Sequence, residues 1–158
     1  MKAIQWIIAV AGLAFGLPAS AQAAQTDPEV IIYRFPGVLD TGNFANLGVA
    51  TVFFCTNFGG VTENIRFVTR TTTGALASNL VFNLVHLGTL TTATHSTALY
   101  ADAFTSLATG PVSEGTTAIA ATSTNVICTA TTIDAAASTP IGIALRGIRF
   151  NPVPGSQE

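Results

Sequence analysis

The sequence predicts an all-β protein, a single antiparallel β-sandwich of immunoglobulin-like kind with about 7–8 strands, following a cleaved signal peptide. Three observations predict it. Runs rich in Val, Ile, Phe and Thr recur between clusters of Gly, Asn, Pro and Ser, and helical periodicity is hard to find after residue 24. Two of those runs alternate apolar and polar side chains in the manner of a sheet with one wet face. The composition, with 24 Thr and 25 Ala among 158 residues, favours small side chains that strands tolerate.

The N-terminus reads as an export signal covering residues 1–23. Lys2 supplies a positive start, Ile4 to Leu17 is almost continuously apolar, and Pro18 ends the run. Ala19-Ser20-Ala21-Gln22-Ala23 offers small-x-small cleavage sites, with the cut expected after Ala23. The apolar run is too short for a retained span, which needs roughly 20 residues. No later segment is long and apolar enough to cross a bilayer. Cleavage would leave five Arg against eight Asp plus Glu, a net charge of −3.

Residues 24–46 are expected to form an N-terminal arm carrying the first strand, Val30–Phe35. The sandwich proper is expected over 47–150, and 151–158, with Pro152 and Pro154, reads as a tail. Further strands are predicted near Gly48–Thr56, Asn64–Arg70, Leu80–His86, Thr89–Thr94, Thr116–Ala121, Asn125–Ile133 and Ile141–Phe150. In the third strand Ile65, Phe67 and Thr69 share one face and Asn64, Arg66 and Arg70 the other. In the fourth, Leu80, Phe82 and Leu84 oppose Asn83. Gly59-Gly60, Thr73-Gly74 and Gly88 fit tight connections. Gly147 fits a bulge that returns Ile148 and Phe150 to the core. A small barrel is the alternative architecture.

The second strand breaks the alternation. Val52 and Phe54 point one way, Phe53 and Cys55 the other, so both faces are apolar. Such a strand is either central and covered on both sides, or it packs one face on another subunit. Val52, Phe53 and Phe54 are therefore the candidate interface, which Phe44 and Leu47 would widen.

Cys55 and Cys128 are the only cysteines, an even count in a chain expected to reach an oxidising compartment. The expectation is one disulfide tying two strands or two sheets. No Cys-x-x-Cys motif suggests redox chemistry.

The inventory for catalysis is thin: two His, four Asp and four Glu. A metal would draw on His86 and His95, with Asp102. The intervening strand separates those histidines by roughly 20 Å, too far to share an ion. Gly-x-Ser-x-Gly is absent. Glu63, Asp102 and Asp134 read as solvated charges rather than as a carboxylate pair. No catalytic residue, metal or cofactor is expected. With no basic excess, nucleic acid is not expected as a partner either.

Three segments carry a resemblance: Phe54-Cys55-Thr56-Asn57 followed by Gly60, then Val126-Ile127-Cys128-Thr129-Ala130, and Arg149-Phe150-Asn151-Pro152-Val153-Pro154-Gly155-Ser156. Together they resemble small exported bacterial proteins of uncharacterised function, with one cysteine in each of two strands and an Arg-Phe-Asn-Pro ending. The resemblance spans most of residues 47–156 and implies a sandwich fold without an assigned activity. At fold level alone, the strand order is similar to the sandwich of sensory rhodopsin transducer proteins, which implies an oligomer that binds a partner. The chain is also similar in composition to chaperone–usher fimbrial subunits. It departs from them in the wide spacing of its cysteines and in its Pro-Gly-Ser-Gln-Glu ending.

The expected function is that of an exported, non-enzymatic interaction or structural module in the cell envelope or outside the cell. Its partner would be a protein or envelope component, or further copies of the chain. The alternatives are a subunit of a surface fibre, and a periplasmic ligand-binding protein or hydrolase.

Overall fold

The computed structural model describes residues 29–42, 45–100 and 104–150. The expected signal peptide, most of the arm before the first strand, the C-terminal tail, Phe44 and Asp102 lie outside the described residues. The described chain is all-β, with ten strands and no helix. These are β1 (Val30–Asp40), β2 (Val49–Asn57), β3 (Glu63–Arg70), β4 (Leu76–Leu84), β5 (Thr89–Ala93), β6 (Phe104–Ser106), β7 (Val112–Ala121), β8 (Val126–Asp134), β9 (Ile143–Leu145) and β10 (Ile148–Arg149).

The strands form one sheet, in the order β4-β3-β7-β1-β2-β5-β6, with β8 and β9 added beside β2 and β10 beside β1. The sheet curls into a half-barrel, so its two arms face each other across one interior. One expectation is corrected here. Pairing is mixed rather than antiparallel throughout, because β5 and β6 run parallel, with Thr91 opposite Phe104 and Ala93 opposite Ser106. The arms meet where the end of β1 bridges to the start of β2 at Asp40 and Ala50.

The interior follows from the alternation. Ile32 and Phe35 of β1, Phe53 and Cys55 of β2, Ile65 and Phe67 of β3, and Ile119 of β7 enter one buried cluster. Ring contacts run across it from Tyr33 to Phe35, Phe53, Phe67 and Phe82, with centroids 5.7 to 5.9 Å apart. Each of these large rings removes much apolar surface from water, and their edge-to-face and tilted meetings suit aromatic quadrupoles.

β1 runs five residues further than its pattern predicts. The strand is expected to end at Phe35, but it continues through Pro36 and Gly37, with register shifts against β7 on both sides of Val38 that act as bulges. Gly37 takes a φ of +78°, which a side chain would oppose. The continuation delivers Val38 to the core and Asp40 to the site described below.

The last strand departs from expectation in the opposite sense. It is split into β9 and β10, and Ile148 is 56% exposed, so it does not return to the core. Gly147 has a different role. A Cβ there would lie 2.4 Å from Phe35 Cε1, so the glycine lets the strand lie against that ring. Phe150 receives the Arg34 guanidinium at 5.8 Å, and Arg149 lies the same distance from the Tyr33 ring. At the β4–β5 turn, the positive φ falls on Leu87 rather than Gly88.

Candidate functional site

Cys55 and Cys128 face each other directly in the antiparallel β2–β8 ladder, and they form the disulfide, with Cα atoms 4.2 Å apart. Both are buried in the main core. The bond therefore joins neighbouring strands within one arm of the sheet.

The two faces of β2 are both occupied from within the chain. Phe53 enters the main core, while Val52 joins a smaller cluster with Ala93 and Ile133. Val52 and Phe53 have 0% exposure. Phe54 is half-buried and meets the Tyr100 ring edge-on at 5.4 Å. Leu47 remains exposed, in the loop between β1 and β2.

A shallow, open depression of about 300 Å³ lies where that loop crosses the end of β5, lined among others by Asp40, Gly42, His95, Ser96 and Ser106. Asp40 comes from the extended end of β1, and His95 follows β5. His95 Nδ1 lies 2.8 Å from Asp40 Oδ1, a buried pair. The two atoms are close but do not form an aligned hydrogen bond. Thr109 donates its hydroxyl to Asp40 Oδ2 at 2.8 Å, and His95 Nε2 meets the Leu47 carbonyl at 2.9 Å.

Buried threonines complete this corner. Thr94 Oγ1 accepts from the Thr51 amide and donates to the Leu39 carbonyl, and Thr51 Oγ1 exchanges bonds with both backbone groups of Leu39. The arrangement ties the ends of β1, β2 and β5 together and anchors the β1–β2 loop. It is poorly arranged for proton transfer to a substrate. His95 Nε2 is turned to Leu47 rather than to a serine, and Ser106 Oγ is engaged by the Ala108 amide.

The remaining titratable groups are dispersed. His86 Nδ1 accepts from the Gly60 amide at 3.0 Å, and the two histidines serve different loops. Among the described residues, no three His, Cys, Asp or Glu gather as metal ligands do. Glu63, expected to be solvated, is fully buried at the start of β3, where Thr122 donates to Oε2 and Oε1 has no partner. Asp134 is exposed and holds the Ala136 amide. Arg66 does not pair with Glu63. It forms a two-pronged ion pair with Glu29, and the hydrogen bond to that carboxylate raises the guanidinium's pKa above its ordinary value.

Exposed apolar side chains gather in two places. One strip follows β4 and the turns beside it, through Phe58, Leu76, Leu80, Val81, Val85 and Leu87. The other follows the chain end through Ile141, Ile143 and Ile148. No motif announces the first strip, because its residues serve an ordinary strand pattern; the signal was the lack of any charged residue from 71 to 101.

Fold and surface together define a disulfide-bonded, all-β domain with apolar edges and no assembled catalytic constellation among the described residues. Comparison with known proteins finds no match, whether to a family model, a curated protein or a solved structure.

Proposed function

We propose that the chain is an exported, non-enzymatic interaction module of the cell envelope or extracellular space, working through contacts at its sheet edge. The facing arms of the curled sheet serve in this reading as the two layers of an immunoglobulin-like sandwich. One observation carries the proposal: β4 ends the sheet with an uncharged, partly apolar strand, and Val85 and Leu87 continue it at 60% and 65% exposure. Edge strands are normally blunted by charges, prolines or covering loops, since an open edge invites another strand. Export is supported by the apolar N-terminal segment and by the Cys55–Cys128 bond, which persists in oxidising compartments. No helix of the described chain is long and apolar enough to cross a membrane.

The test is site-specific photo-crosslinking in intact cells, with the reactive group placed at Leu87 and, as a control, at exposed Thr72. A discrete protein adduct from Leu87 but not from Thr72 is the expected result. Equal labelling at the two sites, or none at Leu87, would overturn the proposal.

A further inference from the structure

Resting on that reading, we infer that the occupant of the β4 edge is a second copy of the same chain, joined strand to strand in a closed dimer. The inference starts from what the edge offers. The nine residues of β4, Leu76 to Leu84, contain no charged residue and no proline. The pairing with β3 skips one position between Ser78 and Leu76, which confines the irregularity to Ala77 and leaves Ser78 to Leu84 in regular register. Among the described residues, β4 has a neighbouring strand on one side only. Its two ends are engaged, since buried Ser78 donates its hydroxyl to the Leu107 carbonyl and the Asn57 side chain donates to the Leu84 carbonyl, so the edge that can take another strand runs from Asn79 to Asn83.

Length selects the partner. The other described strands at the margins of the sheet, β6, β9 and β10, have three, three and two residues. Joining any of them to β4 would leave part of the stretch from Asn79 to Asn83 unpaired. A second β4 matches that stretch along its full length.

Charge selects the same partner. The chain is net acidic, so two copies repel each other over much of their surface. The segment from 71 to 101 contains no Asp, Glu, Lys or Arg, and it carries this edge. The nearest arginines, one strand back on β3, are already engaged: Arg66 with Glu29 and Asn79, Arg70 with the Gly74 carbonyl.

The residue pattern is also compatible with its own reversal. Antiparallel pairing about a two-fold axis at Val81 sets Val81 against Val81 of the second copy and Leu80 against its Phe82. Asn79, which keeps its bond from Arg66, then lies opposite Asn83 on the outer side. Leu80 and Val81, now 37% and 40% exposed, would be covered. Because this contact is isologous, each copy's edge is consumed by the other, so association stops at two and does not propagate into a fibre. A pair of strands with flanking turns is small beside standard interfaces of roughly 1,600 Å², so the dimer should dissociate on dilution.

The experiment is sedimentation velocity on the oxidised protein, as exported, from about 1 μM to 1 mM, for the native chain, V81K and the surface control I127K. The native chain and I127K should pass from monomer to dimer with no larger species. V81K, which sets like charges opposite each other on the axis, should raise the dissociation constant at least about tenfold. A V81C variant should form a covalent homodimer on mild oxidation. A monomer at every concentration, growth beyond two, or a dimer indifferent to V81K would each overturn the inference. The cellular crosslink separates this failure from that of the broader reading: a Leu87 adduct to a different protein removes self-pairing and leaves the interaction module standing.

Discussion

Reducing the Cys55–Cys128 bond perturbs a single constraint, and its effect can be worked from the topology. The cysteines are 73 residues apart in sequence yet directly opposed in β2 and β8. Closing a loop of that length removes unfolded-state entropy equivalent to about 4 kcal/mol at room temperature. The strands are also held by nine opposed residue pairs, from Val49–Asp134 to Asn57–Val126, so the ladder does not need the bond in order to form. The reduced chain should therefore keep its fold and lose stability. For a domain of about 120 residues, a loss of 4 kcal/mol lowers the melting temperature by roughly 15 °C. Urea titration of oxidised and phosphine-reduced protein, followed by far-UV circular dichroism, tests this directly. The denaturant slope should rise on reduction, because an uncrosslinked unfolded chain exposes more surface. Replacing both cysteines by Ala should cost about 1–2 kcal/mol more, since two buried sulfurs are deleted from the core. A reduced protein within about 1 kcal/mol of the oxidised one, with an unchanged slope, would refute the unfolded-state argument.

Three other perturbations probe the interior and the β1–β2 corner. F53A removes a fully buried ring that contacts both Phe35 and Phe67, and should cost about 3–5 kcal/mol in the same titration. G147A puts a methyl 2.4 Å from Phe35 Cε1 and should cost about 1–3 kcal/mol through overpacking, read as a lower urea midpoint. H95A leaves Asp40 buried with Thr109 as its remaining partner, for a loss of about 1–3 kcal/mol. Hydrogen exchange should then quicken at the Asn46 amide, which donates to the Ser96 carbonyl beside His95.

The sequence was legible where one physical rule decided the outcome. Ile65, Phe67 and Thr69 alternate with Asn64 and Arg66, and β3 buries the first set and leaves the second half-buried. The doubly apolar β2 is central, with β8 on one side and β5 on the other. Legibility ended where distant partners or local irregularities decided. The continuation of β1 past Phe35 is not legible locally, because bulges depend on the partner's register, which β7 supplies from some eighty residues away. β6, three residues long, is too short for alternation to register, and its parallel pairing is invisible to local pattern. The Asp40–His95 pair joins residues 55 positions apart, with no motif linking them. Glu63 reads as a surface charge, whereas strand parity turns it inward beside Phe67 and Ile65. Of the two readings left open for the doubly apolar β2, cover from within the chain comes from Tyr100, Ala93 and Ile133, which are distant in sequence.

With few charges, the domain uses hydroxyls to join its strands, and this has a measurable consequence. Thr69 and Thr117 bond at 2.8 Å between β3 and β7, and Thr56 and Thr89 at the same distance between β2 and β5. Thr51 and Thr94 stitch β2 and β5 to β1, and Thr122 joins the end of β7 to Glu63 and the Asn64 amide. Neutral bonds of this kind contribute about 1 kcal/mol each and are not screened by salt. The half-buried pair of Arg66 and Glu29 at the surface is partly screened, and surface pairs of that sort contribute about 1 kcal/mol or less. Arg66, raised further by its partner, stays charged throughout any working pH range. Raising sodium chloride from 10 mM to 500 mM should therefore shift the unfolding free energy by less than about 1 kcal/mol. A loss above about 2 kcal/mol in the urea titration would mean that ion pairing, rather than the hydroxyl network, supports the sheet. The same low charge leaves β4 without gatekeeping side chains, so the stability strategy and the open edge share one compositional cause.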